Sequence, residues 1–445
     1  MGGKEKLIDE LRAVYRQLDR LLDAAGRGAI SRIQRSAEVG ESYLRDLRSR
    51  LAAGREKGYD LGVLLRMLRA LDVDRRIFFG QVYGSPDPVA DLELEARRLG
   101  EPPEVVARVR DLLLEQGWQP PAELPEAIRT LDDYRHHDPE AVRVAARGDL
   151  EKVAAGLLPP SWGVPLLAVY GSALRMLLRL EEALMALMTA LRIAEGRGDP
   201  ATLADLLQRL AYVVADRGEH RRALELAGVA EGWYVRADSR AGIGKTLVDQ
   251  GCWLSKLDRP RDSILVNEAA LRYLPAEETS NRFAALQTLG LSHLALGELD
   301  DAQRYADSAE EIAAGVGPWQ RAQLAWLQAR IATSREDYAE AENLFRESSE
   351  FFAPLSSVEA ALVSTELVRL LLLQGRVSEA QELASTMLRF IEPLRQNQIA
   401  SAALVDLWRS AHAGRGLSLE LVDRTIRRLE EGRAHGCTRP NGASR

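Results

Sequence analysis

Between Pro165 and Pro393 one pattern returns six times, and this period limits the fold more than any other feature of the chain. Small residues stand at Ala183, Ala223, Ser263, Ala302, Ala341 and Ala380, at intervals of 40, 40, 39, 39 and 39 residues. Turns and charged or polar approaches precede them: RLEEA (179–183), GEHRRA (218–223), GELDDA (297–302), SREDYAEA (334–341) and GRVSEA (375–380). Pro200, Pro275, Pro318, Pro354 and Pro393 follow five of the six, and a proline cannot continue a helix. Each unit therefore reads helix, turn, helix, stop. Two antiparallel helices approach closely only where one lacks a bulky side chain, which assigns the small residue to a helix contact. Five near-equal intervals argue against a bundle with accidental periodicity.

These units resemble the tetratricopeptide repeat (TPR), with Leu289-Gly290 before Gly297 and Ala302, and Tyr338 and Phe345 around Ala341. They exceed the usual length of about 34 residues by roughly a helical turn. The resemblance implies an α-solenoid whose first helices line an extended concave surface able to hold a peptide or partner protein. Counting back from each small residue by the repeat's pattern places Arg175, Gln208, Tyr212, Lys245, Ser255, Gln287, Trp326, Arg330 and Arg369 on that face. Four of these are cations in an otherwise acidic half, which favours a carboxylate ligand. The alternative is that these side chains make ordinary contacts within and between repeats.

The charge is unevenly distributed. The chain carries −7 overall, yet residues 1–76 hold 17 Lys+Arg against 12 Asp+Glu, so the front end is +5 and the remainder −12. Such an imbalance suits a chain whose one end meets a polyanion. Leu7, Leu11, Val14, Leu18, Leu21 and Ala25 form one apolar seam, which either pairs two chains into a homodimer or packs on its own domain. ISRIQRSA (30–37), a break at Glu38 to Gly40, ESYLRDLRSRL (41–51) and LGVLLRMLRAL (61–71) then read as short helices.

The pair around Val39 resembles the Cro/repressor-type helix-turn-helix, or XRE family, through Ile33, Ala37, Val39, Leu44 and Leu47. The resemblance covers about residues 7–83. Glu38 replaces the family's turn glycine and Gln34 its usual alanine. In such a unit the second helix enters the major groove of double-stranded DNA and the first crosses the backbone. Arg45, Ser42 and Tyr43 then face bases or phosphates, Arg48 flanks them, and Arg32 and Arg35 meet phosphates. Glu41 and Asp46 oppose this, because carboxylates are repelled by phosphate.

Eleven of the eighteen prolines fall in 85–165, between amphipathic stretches VADLELEARRL, EVVARVRDLLLEQ, LPEAIRTLDDY and EAVRVAARGDLEKVAAGLL. This composition predicts helices joined by stiff turns, a connector able to supply divergent opening repeats. IASAALVDLWRSAHAG and LSLELVDRTIRRLEE read as helices that cap the last repeat. The expected architecture is all-α: a helix-turn-helix bundle over 1–84, a Pro-rich helical connector over 85–164, six TPR-like repeats over 165–393, capping helices over 394–431 and a disordered tail over 432–445.

Recognisable catalytic chemistry is missing. SRAGIGKT (239–246) approaches a phosphate-binding loop but begins with Ser239 in place of its first glycine, without a strand before it. His136-His137 beside Asp132, Asp133 and Asp138 has no second ligand motif at zinc spacing and reads as a solvated turn. Cys252 and Cys437 form no metal cluster or disulfide framework. The expectation is a non-enzyme with no cofactor and no metal. With no apolar run of about 18 residues or signal-peptide core, it is expected in the cytoplasm and off the membrane. A helix-turn-helix joined to TPR-like repeats is similar in architecture to the peptide-sensing transcription regulators of bacteria. An interaction scaffold whose front domain does not bind DNA is the alternative.

Overall fold

The computed structural model describes residues 88–195, 198–353, 357–390, 398–412 and 416–434. The helix-turn-helix resemblance, with Arg32, Arg35, Ser42, Tyr43, Arg45 and Arg48, and the seam at 7–25 lie outside these residues. Two compact units divide the chain, Met1–Leu92 and Glu93–Arg445. Among the described residues every regular element is helical, with eighteen α-helices, three short 3-10 turns and no strand.

The connector contributes α1 (Pro88–Leu99), α2 (Glu104–Gln116), α3 (Glu126–Tyr134) and α4 (Pro139–Ala154), one for each amphipathic stretch. They are not regular hairpins. Instead α2 packs on α4 and α6 (Leu180–Ala194), while α3 packs on α4 and α5 (Gly163–Met176). Trp118, which follows α2, is buried and donates its indole N–H to the Ser161 carbonyl at 3.1 Å. Proline pairs set these directions, since each ends a helical path and fixes the next φ.

Six hairpins follow. They are α5 with α6, α7 (Pro200–Asp216) with α8 (His220–Arg236), α9 (Arg240–Lys256) with α10 (Pro260–Tyr273), and α11 (Thr279–Ala295) with α12 (Leu299–Glu311). The last two are α13 (Pro318–Ser334) with α14 (Tyr338–Phe352), and α15 (Ser357–Leu373) with α16 (Val377–Ser385). Each first helix packs on its own second helix, and each second helix packs on the next first helix. This sequential packing is the arrangement of an α-solenoid, in which every unit buries its apolar face against neighbours.

All six small residues occupy the fourth position of their second helix and are completely buried. Seven residues further on, Ala190, Ala230, Ala270, Ala309, Ser348 and Met387 form a second column, equally inaccessible. On the first helices, Gly171 comes close to Leu187 and the Ala183 carbonyl, Gly251 to Asn267, and Gly290 to Leu327 and the Ala302 carbonyl. A methyl group on Gly290 would stand 2.7 Å from Leu327 and 3.5 Å from the Ala302 carbonyl oxygen. Nothing larger than hydrogen fits there without a shift. The helices meet at backbone contact, so long side chains such as Leu187 and Phe345 fill the spaces on either side.

The hairpin turns share one geometry. A left-handed residue lies five positions before each small residue: Leu178, Gly218, Asp258, Gly297, Glu336 and Gly375, with φ of 60, 84, 55, 75, 62 and 72°. The next residue's N–H returns to a carbonyl in the preceding helix, as in Arg179 to Leu174 at 2.9 Å and Glu298 to His293 at 3.0 Å. This Schellman closure satisfies carbonyls that the helix end would otherwise leave unpaired.

Pro275 stands directly after Leu274, the C-cap of α10, as expected of a stop, whereas two other prolines open helices. Pro200 and Pro318 are the first residues of α7 and α13, where the missing N–H costs nothing, and Asp199 caps α7 by accepting from Thr202 N–H at 2.9 Å. Pro354 and Pro393 lie outside the described residues. Within SRAGIGKT, Ser239 Oγ accepts from Gly242 N–H at 3.2 Å and α9 starts at Arg240, directly after the helix α8. The segment is a capped helix start.

At the far end, α17 (Gln398–His412) packs on α16 and on α18 (Leu419–Ala434), which in turn covers α15. Leu404, Leu407, Val422 and Leu429 close the core of the last hairpins.

Candidate functional site

The first helices carry a polar ladder that runs from hairpin to hairpin. Arg175 on α5 meets Asp216 on α7 at 2.6 Å, and its guanidinium carbon stands 5.3 Å from the centre of the Tyr212 ring. From α7, the Gln208 amide and the Tyr212 hydroxyl both donate to one oxygen of Asp249 on α9, each at 2.6 Å. Lys245 on α9 pairs with Glu278, the cap residue of α11, at 2.9 Å. The Gln287 amide on α11 reaches the Gln323 carbonyl on α13 at 3.5 Å. Arg330 on α13 faces Glu366 on α15 at 3.7 Å, and Arg369 on α15 meets Asp423 on α18 at 2.7 Å.

The sequence-based assignment therefore selected residues on successive first helices that the fold aligns. Its electrostatic consequence needs correction. The four cations Arg175, Lys245, Arg330 and Arg369 do not make a positive groove, because each is matched by a carboxylate of the next first helix, of its cap or of the capping helix α18: Asp216, Glu278, Glu366 and Asp423. An extended acidic ligand would have to compete with these pairs. Trp326 is also withdrawn, buried beneath the face with its ring 6.2 Å from that of Phe352. Ser255, near the end of α9, is half-buried.

Charge is most concentrated at the amino-terminal end of the ladder. Arg209 on α7 forks onto both oxygens of Asp132 on α3, at 2.9 and 2.8 Å. It also donates to Ser172 Oγ at 2.7 Å and to Asp205 at 2.7 Å. Arg135 adds a second cation to Asp132 at 2.6 Å. Burial by itself would weaken the Arg209 proton's hold, but Asp205 and Asp132 outweigh it and keep this guanidinium well above its usual range. Burial likewise opposes ionisation of Asp132, yet Arg209 and Arg135 reverse the sign and hold the carboxyl below its ordinary value. Burial pushes the Tyr234 phenol up, with the Asp205 charge adding to it, so this hydroxyl stays protonated and donates to the Gln208 amide oxygen at 3.0 Å.

Asp132, Asp205, Arg209, Asp216 and Asp249 went unrecognised in the sequence. Asp132 in particular read as part of a solvated turn with His136 and His137. No local signal joins it to Arg209, because they are 77 positions apart. Asp216 and Asp249 each lie 41 positions, about one repeat, after the donor they meet, so a search for acids at that spacing would have found these two.

His293, Glu298 and Asp301 bring ligand-type atoms within 4.8 Å of one another at the α11–α12 turn. The His293 ring nitrogen Nδ1 is already 2.6 Å from Glu298, and Asp301 holds Arg304 at 2.8 Å. These contacts close the turn on itself and give no independent sign of a metal ion. No helix among the described residues is long and apolar enough to cross a membrane.

The fold and the ladder thus define an all-helical protein of the sequential-hairpin, solenoid class. No known protein-family model matches the chain, and no curated protein matches it.

Proposed function

We propose that this protein is a DNA-binding transcription regulator whose TPR-like array binds a peptide or protein effector. The observation carrying the reading is the polar ladder on successive first helices. Its side chains come from six consecutive hairpins and the capping helix, so a ligand lying along it would touch every unit at once. The DNA half of the reading rests on the +5 front segment and on the resemblance through Ile33, Ala37, Val39, Leu44 and Leu47.

The effector is a peptide able to exchange polar contacts with the ladder, alternating donors and acceptors, rather than a uniformly acidic one. The matched cations favour this form, since an acidic strand would leave Asp216, Glu278, Glu366 and Asp423 unpaired. An interaction scaffold is the second reading, supported by Glu38 and Gln34 where the helix-turn-helix family carries glycine and alanine.

Genome-wide recovery of DNA bound to the full chain decides between them. A regulator returns discrete sites, and binding to one of them falls steeply with salt as counterions are released. Recovery of no enriched sites, with no gel shift by the folded chain at low salt, overturns the regulator reading.

A further inference from the structure

At its amino-terminal end the ladder is covered by a segment of the chain itself. On α7, Asp205, Gln208, Arg209 and Tyr212 recur at helical spacing and share one face, and on α5 so do Ser172 and Arg175. Gln208, Tyr212 and Arg175 are rungs of the ladder. Asp132 of α3 comes down on this same face. Its two oxygens take the Arg209 fork at 2.9 and 2.8 Å, and the same guanidinium reaches Ser172 Oγ at 2.7 Å. A carboxylate seated on a buried arginine, in line with the rungs, is the arrangement that a ligand's own carboxylate would seek.

The rest of α3 is lightly held. Ile128 is its one buried residue, whereas Ala127, Arg129, Thr130, Asp133 and Tyr134 are exposed. By comparison α4 buries five residues and α7 ten. Pro125 stands at the N-cap of α3 without a side-chain hydrogen bond, and the helix has nine residues, fewer than the roughly 12 that persist without packing. A segment with so few buried contacts opens before its neighbours do. Lifting it also strands no charge. Asp132 leaves together with Arg135, its partner at 2.6 Å, and Arg209 keeps Asp205 at 2.7 Å.

We propose that α3 is a strap occupying the amino-terminal subsite of the ladder, and that the effector displaces it by placing one carboxylate of its own on Arg209 and Ser172. The inference rests on the reading of the ladder as the effector's face. Exchanging one carboxylate for another is close to neutral at Arg209, so contacts along the remaining rungs drive the displacement. A small acid without those contacts competes poorly with Asp132, which is tethered beside its partner. The strap thereby favours a ligand long enough to reach several hairpins. Its carboxylate is either a peptide's C-terminus or a single acidic side chain.

Amide hydrogen exchange of the full chain tests the strap without a ligand. Residues 126–134 exchange about tenfold faster than α4 and α7, and Asp132→Asn speeds α3 about tenfold again while α7 keeps its protection. Equal protection of the three helices, or an acceleration that α7 shares, overturns the proposal. Three pools of synthetic hexapeptides test the displacement: free acids lacking Asp and Glu, the same sequences as C-terminal amides, and amides carrying one Asp. The first or the third pool raises α3 exchange in the native chain and binds the Asp132→Asn protein about tenfold more tightly, because its subsite is already open. Whichever pool does so identifies the source of the carboxylate. Uncharged amides acting as well as the acids overturn the carboxylate exchange, and peptide binding that leaves α3 exchange unchanged overturns the strap alone. Binding by none of the pools overturns the ladder reading and the displacement with it.

Discussion

Asp132 and Arg209 face each other fork to fork, at 2.9 and 2.8 Å, and this pair fastens the connector to the second hairpin. Both side chains are mostly hidden, 21 and 16 % exposed, so the attraction is weakly screened and the loss of either partner leaves a stranded charge.

Replacing Arg209 by Met should therefore destabilise the chain by about 3 kcal/mol, at the low end for breaking a buried ion pair. The double variant Arg209→Met with Asp132→Asn should recover part of this, because no charge is then stranded. Urea unfolding of the three variants measures the cycle. Simple additivity would show that the two residues do not act as a pair.

The same carboxylate predicts an acid response. Asp132 has a folded pKa below its unfolded value, so its stabilisation is complete above the unfolded pKa of about 3.9 and is lost as pH falls through the lower, folded one. The melting temperature of the native chain should drop more steeply below about pH 4 than that of Asp132→Asn. Parallel pH profiles would remove Asp132 from the explanation.

Ala302 tests the helix contact. Its Cβ has no accessible surface, and its carbonyl oxygen faces Gly290. Ala302→Leu should cost about 1–3 kcal/mol by overpacking, with the increase in amide exchange spreading into neighbouring hairpins. An unchanged unfolding curve would contradict the close approach seen at Gly290.

The turns allow a gain. Glu336 is left-handed at φ 62°, where Gly297 and Gly375 stand in the neighbouring hairpins. Glu336→Gly should stabilise by about 1 kcal/mol by relieving the clash between Cβ and the backbone. Differential scanning calorimetry reads the shift, and a lower melting temperature would mean that Glu336 contributes more through its side chain than its backbone costs.

Regulator and scaffold separate on two arginines. If the proposed function holds, Arg45→Ala abolishes specific DNA binding and leaves effector binding intact, since base readout resides in the front segment. Arg330→Ala frees Glu366 from its 3.7 Å partner, retains DNA binding and weakens the effector's influence on it. DNA occupancy is measured for both with and without cell extract. Unaltered occupancy for Arg45→Ala favours the scaffold.

The sequence by itself determined the hairpin period, the turn positions and which residues had to be small, because each of these is local or repeats at fixed spacing. Ala183, Ala223, Ser263, Ala302, Ala341 and Ala380 were legible for that reason, and so were the first-helix positions of Arg175, Gln208, Tyr212 and Arg330. Only the tertiary structure decided what those side chains touch. Asp132 finds Arg209, and Glu95 finds Arg217 and Arg222, across spans that no periodicity encodes. The groove's charge was misjudged on the same ground: a cation's effect depends on the carboxylate that packing delivers to within a few ångströms, and Coulomb attraction at that range exceeds the sum of distant charges.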